Sequence, residues 1–312
     1  MFPSPGNGLT GGVDGTGFNR IEKGFVMKQK RLKGYQRLTG YLFMAPAAVM
    51  IIVFMIVPLL WNVALSFCSW NGNSSVKFVG VSNYLSIFEN ESILVTLQRS
   101  IILAITATAV SMLLGMLYAF LLYRLREREQ QIFRFVFFSP AMLPMTVTGL
   151  LFVFVLSSNG LLNGLLSLLG LESLQHAWLA DPKVALWVLG IVQGWKGCGV
   201  IMILCTTAIL ALPSSLYECA RLEGANYWQQ VRIIMLPLIK PTLKLLLSMT
   251  VMSAFKSYDI VYAMTKGGPA EYTYTTPMKI VQLGFSYNEY GTAAALGTIL
   301  VIVASVFVIG AR

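Results

Sequence analysis

Of the 312 residues, 56% are apolar and only 12% charged, against roughly 45–50% and about 25% in a soluble domain, so the chain cannot wet its own surface. The apolar residues fall in runs of about 20, the length that crosses a bilayer, which excludes an ordinary soluble enzyme. The formal net charge is +10, and the single histidine and four scattered cysteines offer neither metal-ligand spacing nor a disulfide framework.

In chain order, residues 1 to 26 are Gly-rich and poor in large apolar side chains. They predict a disordered tail over 1–30 rather than a signal peptide, followed by a membrane domain over 31–312. Six spans follow: 41–61, 100–123, 135–156, 184–212, 245–264 and 292–310, each close to 30 Å long as a helix. The fold class is thus an all-α membrane protein with six transmembrane helices. Sixteen of the 23 Lys and Arg lie before span one, between spans two and three, between spans four and five, or at the C-terminus. The opposite loops hold only Lys77, Lys183, Lys266 and Lys279. This bias places both termini in the cytoplasm, and it accounts for the basic balance without nucleic acid.

Three ionisable residues fall inside spans, where each must face protein or water because charge at the bilayer centre is costly. Lys256 and Asp259 stand at i, i+3 spacing and predict a pair on one helix face. Lys196 stands between Trp195 and Gly197, beside Cys198 and Gly199, where glycines let backbone approach a ligand. Aromatic platforms with polar donors at this depth suit hydroxyl-rich solutes.

The loop over 213–241 is the most informative segment. Ser215 with Glu218, and Asn226 with Gln229, read as capping boxes, and Gly224 reads as a left-handed cap. Two short helices bent at Gly224 are predicted, closed by Pro237 and Pro241. Leu216, Cys219 and Ala220 form a shallow apolar patch beside Glu218 and Glu223. Small residues there admit a close backbone approach, and Glu218 can accept a charge-assisted hydrogen bond from a partner groove. The alternative, a helix pair resting on lipid headgroups, suits the acidic groups poorly.

Glu218, Ala220, Gly224, Ile234, Leu236 and Pro237 stand in the register of the EAA loop, and the segment resembles that of ABC-importer permeases, with Cys219 in place of the first Ala. Trp178-Leu-Ala-Asp-Pro182, Phe255 to Pro269 and Tyr290 to Ala295 resemble the permeases of carbohydrate and glycerol-3-phosphate importers. The similarity covers about residues 36–310. It implies a type I ABC importer permease fold in a bacterial inner membrane, with coupling helices between spans four and five. The Gly-Gly-Pro turn at 267–269 implies one of two unlike permease subunits. An ATPase dimer on the cytoplasmic side would engage Leu216, Glu218, Cys219, Ala220, Gly224 and Pro237. An external solute-binding protein would reach the loops over 76–98 and 265–290. Carried over by position, the solute pathway falls on Lys196, Gly197 and Val200 and on Thr250, Ser253, Ala254 and Ser257, of which Thr250, Ala254 and Ser257 follow one stripe of span five. Small residues packing helices together are the alternative for that stripe.

No Gly-x4-Gly-Lys-[Ser/Thr] motif occurs, so ATP and Mg belong to the partner ATPase and no cofactor is expected on this chain. A secondary transporter driven by an ion gradient is the alternative, but only Asp259 could serve as its relay. An intramembrane enzyme lacks a nucleophile with a nearby base. Lys196 would suit an anionic solute such as a sugar phosphate or uronate, and neutral oligosaccharides stay open.

Overall fold

The computed structural model describes residues 39–73 and 75–310, so the expectations for the tail and for Arg312 lie outside the described residues. The chain divides into two units, 1–61 and 62–312. Helix α1, Thr39–Leu65, supplies the described part of the first. Pro58 removes one backbone donor from it, and the five residues Ile52–Ile56 form π turns there.

The second unit opens with an antiparallel pair, β1 (Cys68–Ser69) and β2 (Lys77–Phe78), and a short helix α2, Ser82–Glu89. Helix α3 then runs Glu91–Tyr123, beginning well before the predicted Ser100. Its first turns bury Ile93, Thr96 and Ser100 against protein rather than lipid, so hydropathy alone places its start too late. Helices α4 (Glu127–Met142) and α5 (Met145–Val155) replace the predicted straight span over 135–156. They meet at 98° because Leu143, preceding Pro144, is extended with ψ 142°, the conformation a following proline imposes. Helix α6, Leu161–Leu168, leads into α7, Ala185–Leu210.

Helix α7 is the central element, and its glycines explain why. A Cβ at Gly190 would come within 2.7 Å of Thr106, at Gly194 within 2.6 Å of Val110, and at Gly197 within 2.8 Å of Ser111, all on α3. On another face, a Cβ at Gly199 would meet the Phe137 carbonyl of α4 at 2.5 Å. Small residues at helical spacing let membrane helices approach this closely. The glycines around Lys196 therefore admit neighbouring helices, and Gly197 also borders a cavity.

The loop over 213–241 contains α8, Ser214–Leu222, and α9, Tyr227–Leu238, which meets α10, Lys240–Phe255, at 72°. The predicted span over 245–264 is interrupted: α10 ends at Phe255, and a separate α11 runs Asp259–Met264. Lys256 and Asp259 thus lie on opposite sides of a break, and no ion pair joins them among the described residues. Helix α12, Thr276–Val281, and α13, Tyr290–Gly310, complete the chain. Among the described residues, four helices are long and apolar enough to cross a membrane, or up to six when each bent pair counts as one span.

Candidate functional site

At the loop, the structure corrects one cap and builds the other. Helix α8 begins at Ser214 after Pro213, with no side-chain cap, so Ser215 and Glu218 form no capping box. Proline is already set for a helix start, and the helix takes up Ser215 as an interior residue. Asn226 and Gln229 do form theirs: the Gln229 amide donates to Asn226 Oδ1 at 3.0 Å, and the Asn226 amide to Gln229 Oε1 at 2.7 Å. Between them Gly224 takes φ +81°. The Ala225 amide donates to the Ala220 carbonyl at 2.9 Å and the Gly224 amide to Arg221 at 3.0 Å, the paired bonds of a Schellman stop.

This arrangement turns Leu216, Glu218 and Cys219 outward and leaves Ala220 half-buried, while Pro237 is exposed in the final turn of α9. Leu222, which sequence reasoning missed, is 89% exposed at the tip of α8. The loop is tied down by aromatic residues that the motif does not contain. Tyr217 is buried and packs 5.5 Å from Tyr123. The Tyr227 hydroxyl donates to the Phe120 carbonyl, and the Arg124 guanidinium sits 5.0 Å from the Tyr227 ring. Burial pushes both the Tyr217 and Tyr227 hydroxyls up to about 12, because a phenolate would lose its water.

The second region is a cavity of about 280 Å³ between α3, α7 and α10, closed on one side by the α4–α5 bend. Six of the seven expected pathway residues line it: Lys196, Gly197, Val200, Thr250, Ser253 and Ala254. Ser257 does not. It lies beyond the end of α10, buried, where Gln193 Nε2 donates to its hydroxyl, so the predicted stripe stops where the helix stops. Among the described residues, no aromatic ring lines the cavity. Trp195 turns away and meets Phe152 edge-on at 5.3 Å, so the expected aromatic platform is absent from this wall. Ser111 and Gln193 line the cavity instead, and both were missed. Gln193 was legible as a polar residue one turn before Lys196.

Loop and cavity share a core. Ile201 and Leu246 line the cavity and belong to the apolar cluster that includes Tyr217, Val231, Met235 and Ile239 of the loop. A displacement of α8 and α9 therefore has a dry, close-packed route to the cavity wall.

Residues 111–312 match the family of binding-protein-dependent transport system inner membrane components. The probable ABC transporter permease protein YurN of Bacillus subtilis (strain 168) is 33% identical over 86% of this chain and 92% of its own length. The lactose transport system permease protein LacF of Rhizobium radiobacter is 27% identical over 88% and 93% of the two chains. Among solved structures, a bacterial ABC transporter involved in import of the acidic polysaccharide alginate has a chain that superimposes with a TM-score of 0.76. It is 22% identical, with 90% of this chain and 96% of that one covered. These findings lend nothing to the ion-coupled alternative. The chain belongs to the binding-protein-dependent transport system inner membrane components, the permease subunits of ABC importers.

Proposed function

We propose that this chain carries a saccharide across a bacterial inner membrane as one of two unlike permease subunits. An external solute-binding protein delivers the sugar, and a cytoplasmic ATPase dimer, which holds the ATP and Mg, presses on the loop over 213–241. Both termini lie in the cytoplasm. Lactose transport by a relative and alginate import by a structural neighbour support the saccharide class.

The observation that carries the mechanism is the shared cluster of Tyr217, Val231, Ile239, Ile201 and Leu246. Its members join the exposed helix α8 to the wall of the cavity. ATP-driven closure of the partner subunits moves α8 and α9, and packed side chains pass that motion to α7 and α10. Lys196, Gly197, Val200, Thr250, Ser253 and Ala254 are the wall that changes access, while Glu218, Cys219, Ala220, Leu216 and Gly224 meet the ATPase.

Uptake into vesicles holding the four-component complex, with and without ATP, tests this reading. ATP-dependent uptake that requires the binding protein is expected, and uptake driven by an ion gradient alone would overturn it. Cysteines placed at 75 and 271 should label from outside and those at 126 and 221 only from inside. Labelling of position 126 from outside in intact cells would reverse the orientation.

A further inference from the structure

We infer that the solute passing this wall carries an anionic group and that Lys196 is the side chain that reads it, an inference that rests on the cavity being the solute pathway. Lys196 is half-buried in a span, and its one hydrogen bond runs from Nζ to the Ala141 carbonyl at 3.5 Å, the long limit of such a contact. Ala141 lies in the last turn of α4, where helix carbonyls lack internal partners and carry partial negative charge. That end orients the ammonium at the edge of the cavity. It leaves two of the three lysine donors for something else.

Nothing in the wall supplies the missing counter-charge. Among the described residues, no Asp or Glu lines the cavity and Lys196 makes no ion pair. Two of the three hydroxyls that line the cavity are spent, Ser111 on the Gly194 carbonyl at 2.9 Å and Thr250 on Leu246 at 2.8 Å, and the third, that of Ser253, is exposed. Gln193 Oε1 is buried with no partner and adds an acceptor for a hydroxyl donor. A wall built for neutral sugars would present an aromatic face, since ring stacking supplies much of their binding. This one presents a cation, a neutral acceptor, the Ser253 hydroxyl and aliphatic surface. An ionisable group kept at this depth without a partner in its own chain finds that partner in what it meets. A carboxylate-, sulfonate- or phosphate-bearing saccharide fits, and a neutral one leaves the ammonium uncompensated.

The test uses the assembled complex of both permeases, ATPase and binding protein in proteoliposomes. The probes are digests of pectin and alginate and glucose 6-phosphate on the charged side, with digests of starch, cellulose and galactan on the neutral side. Uptake from a charged probe, above every neutral one, is expected. Lys196→Met should lower that uptake by about tenfold or more, because a charge-assisted hydrogen bond is the larger kind, and Lys196→Arg should retain most of it. Thr250→Asp, which places a carboxylate in the same cavity, should reproduce the loss by pairing with Lys196.

Neutral uptake equal to or above charged uptake removes the anion and leaves saccharide import standing. The same follows if assembled Lys196→Met takes up charged probes normally, or loses charged and neutral uptake alike. No uptake from any digest overturns saccharide import and this inference with it. If Lys196→Met fails to assemble, Thr250→Asp decides: a selective loss of charged uptake upholds the inference, and an unchanged ratio overturns it.

Discussion

The loop around Gly224 and the turn around Gly267 both reverse the chain at a glycine of positive φ, +81° and +90°, yet they are finished in opposite ways. A Cβ at Gly224 would meet nothing within 4 Å, whereas one at Gly267 would come within 2.3 Å of the Tyr274 ring. The loop leaves Glu218, Cys219 and Leu222 exposed. The turn buries Thr273, Thr275 and Thr276 and spends their hydrogen bonds internally. Thr265 and Thr273 hydroxyls lie 2.7 Å apart, Thr273 donates to the Gly268 carbonyl at 2.7 Å, and Ser100 bridges to Thr276. Three non-glycine residues, Lys266, Ala270 and Glu271, also sit at positive φ there, a conformation that persists only where surrounding contacts fix it. The turn is held by bonds closed within the chain, although Lys266, Glu271 and Tyr272 stay exposed on it, whereas the loop leaves open the space beside its glycine.

The largest expected effect breaks the loop's side of that contrast. Gly224→Asp should insert and fold, since aspartate tolerates the left-handed region better than most residues and the space is open, yet transport should be abolished by the carboxylate entering the ATPase groove. Gly224→Asn has the same shape without the charge and should keep most transport. Normal transport by the Asp variant, measured per assembled complex, would remove the coupling role from the loop.

The turn should fail through folding instead. Gly267→Ala adds backbone strain to a clash with Tyr274 and should destabilise the protein by about 2–4 kcal/mol, read as a lower thermal midpoint in detergent. Gly224→Ala carries the strain alone and should cost about 1–2 kcal/mol. Equal losses for the two would mean that packing does not separate the regions. An effect smaller than that of Gly267→Ala is expected for Ser100→Ala. Its hydroxyl accepts from the buried Thr276 amide at 2.8 Å, and leaving that donor unpaired costs about 1–3 kcal/mol.

How much of this was legible depends on what each feature answers to. The long apolar helices, the bend at Gly224 and the Asn226 box were readable because local backbone chemistry sets them. The break after Phe255 was not, since Lys256, Ser257 and Tyr258 look like a polar interruption that a helix could carry. The Ser215 box failed because Pro213 starts the helix before the serine can cap it. In the cavity, Thr250 and Ala254 follow from the family resemblance, carried over by position, but Ser111 enters only because Gly194 and Gly197 bring α3 against α7. That is tertiary packing, which one sequence does not display.

The smallest effects concern what holds the loop to α3. The buried Tyr217 hydroxyl has at most the neighbouring Tyr123 to bond to among the described residues, so Tyr217→Phe should change stability by less than about 1 kcal/mol. Tyr227→Phe loses the bond to Phe120 and should cost about 1 kcal/mol. Both hydroxyls are raised by burial from 10.0 to about 12 in the fold, so the folded state holds these protons more tightly than the unfolded one. The stability they contribute is therefore fully present below pH 10 and is lost as pH rises toward 12. Trp228, whose ring lies 5.5 Å from that of Tyr227, reports the event. Its fluorescence should stay constant to about pH 10 and change above it, and the Tyr217→Phe, Tyr227→Phe double variant should flatten that change. A transition of the same size in the double variant would assign the alkaline loosening to other groups, and the loop would then owe its attachment to the apolar cluster of Val231, Met235 and Ile239 rather than to its tyrosines.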